Sequence, residues 1–214
     1  MGLEFRVLTA EIDETKYESE DPEASVRRIC EAKALAVAQS LPPAGKAARD
    51  PAAESEDLVL SSDTIVVLEG KIMGKPRDRA EARAMLTALS GREHQVFTAF
   101  TILPYKAFSP GGRCPSEHTG ADEGSASQEA APYTHCEMTH VKFRALSGAE
   151  IAAYVATGEP MDKAGAYGIQ NLGAMLVESI RGDYFTVMGL PVCRLAQALK
   201  GFGLDPLLGQ EMEP

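Results

Sequence analysis

No stretch of the 214-residue sequence holds the roughly 18 or more unbroken apolar residues of a membrane-spanning helix. Nor is Met1 followed by the basic and then apolar segments of a secretory signal. Both absences lead to the expectation of a cytoplasmic protein with no membrane partner. Cysteine is sparse: Cys30, Cys114, Cys136 and Cys193 stand far apart, with no C-x-x-C and no histidine at metal-ligand spacing. Neither a disulfide framework nor a zinc centre is therefore expected. Cys193 follows Pro191 at the start of an expected helix, where the dipole could lower a thiol pKa, but no base accompanies it. Positive charge is in deficit, with 21 basic against 31 acidic residues and a net charge of −10. The resulting field repels duplex nucleic acid and anionic membranes. A small phosphorylated ligand stays compatible with it where local lysines or a metal ion reverse the sign. Internal repeats are absent too.

With 44% hydrophobic residues, the chain is long enough to bury a core as one domain over 1–214. Leu3 to Leu8 alternates like a short strand, and Asp21-Pro22-Glu23 can open a helix that runs to about Gln39. Residues 41–57, rich in Pro and Ala, read as a loop. Leu58–Leu60 and Ile65–Leu68 read as two strands flanking the polar break Ser61–Thr64, and Glu69-Gly70 turns the chain into Lys71–Met73 as a hairpin. Helical periodicity follows over Arg77–Ser90 with Gly91 as its stop, then a buried strand from Gln95 to Leu103. Residues 105–135 lack periodicity and concentrate Gly, Pro, Ser and acid, which marks a surface insertion before a strand at Met138–Phe143. Ser147 and Glu150 form a capping box for a helix over Glu150–Thr157 that Gly158 ends. An apolar strand over Ala174–Ile180 and a helix opened by Pro191 complete the chain. This irregular alternation predicts an α/β fold with a mixed sheet flanked by helices.

Several residues could carry chemistry. Asp63, between two apolar runs, falls at an expected strand end where α/β proteins often place ligand chemistry, although aspartate also terminates strands and caps turns. Glu14 belongs to a cluster with Glu11 and Asp13 that is either an exposed acidic loop or a set of oxygen ligands for a divalent cation. Lys75 in Gly-Lys-Pro presents a point charge from a rigid turn, suited to phosphate. In Asp162–Gln170 the glycines permit close backbone approach, while Lys163 and Gln170 bring a charge and an amide able to read a base edge. The same run could be a glycine-rich connection with solvated charges.

Taken in order, S-S-D-T-I-V-V-L, G-K-P-R-D, L-S-G-R-E-H-Q-V-F-T, G-E-P-M-D-K-A-G-A-Y-G-I-Q and G-D-Y-F-T-V-M-G-L-P resemble the Maf family of nucleotide pyrophosphatases, over nearly the whole chain. The resemblance implies two lobes around a cleft that binds a nucleoside triphosphate with a divalent metal cation, Mg²⁺ or Mn²⁺, and cleavage between the α- and β-phosphates. It implies Asp63 as general base and Glu14 as a second catalytic acid, both able to hold the metal. Lys33, in E-A-K-A, and Lys75 match triphosphate-binding lysines, and Lys163 belongs to the same substrate-binding set. Thr64 and Gln170 look like those of the subfamily acting on dTTP and UTP. One block departs from the pattern: family members begin with a strand, a Ser-x-Ser-Pro-Arg-Arg loop and a helix, whereas these residues begin like the segment after that helix. Weakened phosphate binding is expected from the shortened start, and for the surface left bare either a homodimer that covers it or low solubility. Two rival readings stand beside this one: a non-catalytic nucleotide-binding or interaction protein, and an enzyme of purine nucleotides such as ITP, against which Thr64 and Gln170 speak.

Overall fold

Asp21 accepts hydrogen bonds from the Glu23 and Ala24 amides and Pro22 occupies the first turn, so helix α1 (Pro22–Ser40) starts where its orphan donors are satisfied. The computed structural model describes residues 3, 5–14, 20–41, 57–105 and 132–207, with the backbone of 209–210. The rest of the chain follows as β1 (Leu58–Leu68), β2 (Lys71–Met73), α2 (Arg79–Leu89), β3 (Glu93–Pro104) and β4 (Tyr133–Phe143), then α3 (Gly148–Ala156), β5 (Val177–Arg181), α4 (Tyr184–Met188) and α5 (Val192–Lys200). The sheet has the order β2-β1-β3-β4-β5. Its pairings among the described residues are all antiparallel, so the α/β architecture with flanking helices stands and the expected mixture of strand directions does not.

Strand alternation sorts the core onto two faces. Val66, Leu68, Val96, Val141 and Phe143 pack with Leu86 and Leu89 of α2 and Ile151 and Val155 of α3. Ile65, Val67 and Ala99 meet Val26 and Cys30 of α1 on the opposite face. Phe100 and Ile102 are covered by Leu195 and Leu199 of α5.

Local expectations at caps and turns match the structure. The Glu69-Gly70 hairpin pairs Leu68 with Lys71, Gly91 follows α2 at φ +69°, and the Ser147–Glu150 capping box has both of its hydrogen bonds. Four expectations need correction. Residues 174–176, expected as the start of a strand, belong to a 3-10 helix, and β5 begins only at Val177. Leu3 to Leu8 forms no strand in its described residues, where Phe5 and Val7 are exposed. The supposed break at Ser61–Thr64 is uninterrupted strand, which places Asp63 in the middle of β1 opposite Ala99 and not at a strand end. Tyr133–His135, assigned to the insertion, are strand residues paired with Phe100–Ile102. Residues 42–56 and 106–131, and with them most of the expected loop and insertion, lie outside the described residues.

His94 on β3 is buried at 2% exposure, edge-on to the Phe143 and Tyr167 rings. Its Nε2 lies 2.7 Å from the Tyr167 hydroxyl. Burial pushes its pKa down from 6.5 to about 4. Between those values the unfolded chain takes up a proton that the folded protein refuses. The stability held above pH 6.5 is therefore lost as the pH falls towards 4, by at most about 3 kcal/mol. Urea unfolding at pH 7, 5.5 and 4.5 is expected to show a shallower pH dependence in His94→Gln than in the parent; identical slopes would place the acid sensitivity elsewhere.

Candidate active site

Polar side chains run through β1 without breaking it because each has a partner. Ser61 Oγ donates to the Cys30 carbonyl at 2.8 Å and Ser62 Oγ to the Gly189 carbonyl at 2.6 Å. Asp63 pairs with Lys33 and Thr64 with Thr98. A strand burying four such groups unpaired would be costly; paired, they tie β1 to α1, to β3 and to the end of α4.

Lys33 lies one turn after Ile29 on the face of α1 turned to the sheet. Its Nζ is 2.7 Å from Asp63 Oδ1 and 2.8 Å from Glu14 Oε1. Burial works against the ammonium charge, but the hydrogen bonds to Asp63 and Glu14 and their negative charge outweigh it and hold the Lys33 pKa above its ordinary value. Two carboxylates thus converge on one cation position.

Asp63 also borders a cavity of about 390 Å³, whose wall includes Thr64, Lys75, Lys163 and Gln170. Five of the seven residues singled out from the sequence line this one space. Lys33 and Glu14 are not among its lining residues; Lys33 bonds Asp63, and Glu14 bonds Lys33. The geometry follows from strand parity: Asp63 shares the α1 face with Ile65 and Val67, while Thr64 shares the other face with Val66.

Lys75 and Lys163 reach the same space because the Gly165 amide bonds the Gly74 carbonyl at 3.0 Å. This tie stitches the Gly-Lys-Pro turn to the Asp162–Gln170 run. A side chain at Gly165 would meet Val66 Cγ1 at 2.9 Å, and φ there is +67°, so glycine is required on both counts. Lys163 forms a 2.8 Å ion pair with Asp162, which with the added field of Lys75 holds the Asp162 carboxyl below its ordinary range.

Beyond Gln170 the chain turns through Asn171 at φ +54°, and Glu159 fixes that turn. Glu159 Oε1 accepts from the Tyr154 hydroxyl at 3.0 Å and the Gly173 amide at 2.9 Å, while Oε2 accepts from the Leu172 amide at 3.2 Å. Glu159 and Asp162 were visible in G-E-P-M-D but were given no role, since nothing in their spacing shows that one anchors a loop and the other lines the cavity. Thr98 was missed as well. It sits on buried β3, bonded to Thr64 at 2.8 Å and to the Thr186 carbonyl at 2.7 Å. Only long-range pairing reveals it.

Among the described residues there is no group of three or more His, Cys, Asp or Glu side chains able to hold a metal. The position between Asp63 and Glu14 is taken by the Lys33 ammonium, so a hard cation such as Mg²⁺, commonly held by one or two carboxylates together with substrate phosphates, would have to meet their other oxygens.

Fold and site together define an α/β protein in which an acid–lysine cluster on one sheet face adjoins a cavity with two lysines on the other. A family model described as Maf-like protein matches residues 1–202, and the chain belongs to the Maf family. It is 42% identical over 205 residues to a dTTP/UTP pyrophosphatase of Moorella thermoacetica, covering 96% of this chain and 88% of that protein. Similarity to proteins of the same name reaches 42% in Pasteurella multocida, with the same coverage, and 41% in Symbiobacterium thermophilum, over 98% of this chain and 89% of that one.

Proposed function

We propose that this protein is a nucleoside triphosphate pyrophosphatase acting on dTTP, UTP and related pyrimidine nucleotides, with release of the monophosphate and pyrophosphate. The observation that carries the reading is the placing of Lys75, Lys163, Thr64 and Gln170 around one cavity with Asp63 at its border. The names of the similar proteins point the same way.

In this reading Lys75 and Lys163 bind the phosphates as point charges and lower the repulsion that a nucleophile meets on approaching a polyanion. Lys33 orients the Asp63 carboxylate, which accepts a proton from the attacking water. The water oxygen bonds to the α-phosphorus, the bridging bond to the β-phosphate breaks, and pyrophosphate carries away the electron pair. Asp63 and Glu14 would hold a divalent cation, Mg²⁺ or Mn²⁺, whose chemistry there is neutralisation of phosphate charge and polarisation of phosphorus–oxygen bonds. Gln170 and Thr64 hold the base, and a site built to hydrogen-bond one base leaves buried groups unpaired with another.

Pyrophosphate release from a nucleotide panel is the test. dTTP and UTP are expected to exceed ATP and GTP in kcat/KM by tenfold or more, on the order of the loss when one base-reading hydrogen bond is unmatched. Gln170→Ala should narrow that gap chiefly through KM. Release at equal rates from all four, or none from any, would remove the proposal.

A further inference from the structure

The direction of one hydrogen-bond chain decides what the cavity can recognise. Thr98 Oγ1 is 2.7 Å from the Thr186 carbonyl oxygen, which can only accept, so the single Thr98 hydroxyl proton is committed there. Thr98 is fully buried, and so is Thr186. The carbonyl also accepts from the Gly189 amide at 3.1 Å, but two oxygens 2.7 Å apart without a proton between them would set lone pair against lone pair, so the proton stays on that contact. Thr64 Oγ1 lies 2.8 Å from Thr98 Oγ1, a contact in which either oxygen could donate on distance alone. With the Thr98 proton already used, Thr64 must be the donor. Its own proton then points into the protein, and towards the cavity it borders its oxygen offers lone pairs only.

We infer that Thr98 is a specificity-determining residue that acts through Thr64: by fixing the Thr64 hydroxyl as an acceptor, the relay selects a base that presents a ring N–H, as uracil and thymine do at N3, and rejects cytosine, whose N3 is itself an acceptor. The inference rests on the pyrimidine pyrophosphatase reading and sharpens it. UTP and CTP have nearly the same shape and the same triphosphate, so the lysines cannot separate them. They differ in polarity at N3 and at the neighbouring C4 substituent. Two acceptors facing each other in a partly enclosed cavity leave both lone pairs unmatched, which is discrimination by exclusion of the wrong ligand.

The test is the ratio of kcat/KM for UTP over CTP. The parent should favour UTP by tenfold or more. Thr98→Val keeps the shape of the side chain and removes the relay, which lets the Thr64 hydroxyl rotate and donate. The ratio should fall about tenfold, carried by KM, with kcat for UTP changed no more than about threefold. Thr98→Ser restores the hydroxyl and should restore the ratio. Should Thr98→Val not fold, Thr98→Ala carries the same comparison. Thr64→Val should lower the ratio by a similar factor, and the Thr64→Val/Thr98→Val double variant no further, since both remove one relay. A merely structural role for Thr98 would lower melting temperature and activity towards both nucleotides alike, leaving the ratio unchanged, and that result would overturn the inference. Equal use of UTP and CTP by the parent would overturn it while leaving pyrophosphatase activity standing. No turnover of either would remove the functional reading and the inference with it.

Discussion

Asp63→Asn is expected to lower kcat for dTTP by about 10³-fold, the middle of the range for loss of a positioned general base, with KM changed by no more than a few-fold. The amide keeps the size of the carboxylate and can still face Lys33, 2.7 Å away in the parent, so the cavity wall should persist. What disappears is the ability to take a proton from water and one of the two negative charges that converge on the Lys33 position. Steady-state release of pyrophosphate with Mg²⁺, alongside a melting curve, separates the chemical from the structural consequence. A kcat within threefold of the parent would mean that another group activates the water. Glu14→Gln is the informative companion: it removes a partner of Lys33 that is half exposed and does not line the cavity, so its cost should be smaller than that of Asp63→Asn.

Gly173→Ala should destabilise the fold by about 2–3 kcal/mol, the usual scale of overpacking, or roughly 5–10 °C in melting temperature for a domain of this size. An added Cβ would lie 2.2 Å from the Gly168 carbonyl oxygen and 2.6 Å from the Tyr154 hydroxyl. The first of these is backbone and cannot swing aside. The same shift would disturb the Gly173 amide that Glu159 holds at 2.9 Å. Because Gln170 lies just before that turn, the KM for dTTP should rise along with the loss of stability. An unchanged melting temperature would show that the turn can relax at no cost.

Much of the framework was readable from short-range chemistry. The Asp21-Pro22 start, the Ser147–Glu150 capping box, the Glu69-Gly70 hairpin and the Gly91 stop are each decided within four residues, and each is where the sequence put it. The course of β1 was not readable, because what makes Ser61–Thr64 tolerable in a strand arrives from afar: Lys33 is 30 residues away, Thr98 is 34, and Gly189 is 127. Read locally, four polar residues look like a break. Helix α4 spans five residues, too few for a 3.6-residue period to stand out. Of the site, the residue types and their motifs were visible, and Asp63, Thr64, Lys75, Lys163 and Gln170 do border one cavity. What spacing could not supply was the division of the site between two sheet faces, or the hydroxyl chain behind Thr64, since register and side-chain facing follow from pairing across β1 and β3.

Adjacent residues on a strand point to opposite sides, and β1 puts Asp63 on the side of Lys33 and Glu14 and Thr64 on the side of Thr98 and Thr186. The group that would handle the proton and the group that would read the base are neighbours in the chain, yet each is supported by a separate set of side chains. Substitutions behind Thr64 can therefore retune the preferred nucleotide without touching the supports of Asp63, and the reverse. A lineage carrying this strand can explore new substrates one residue at a time while its chemistry stays intact, whereas a one-residue insertion or deletion within β1 would exchange the two faces and forfeit both at once.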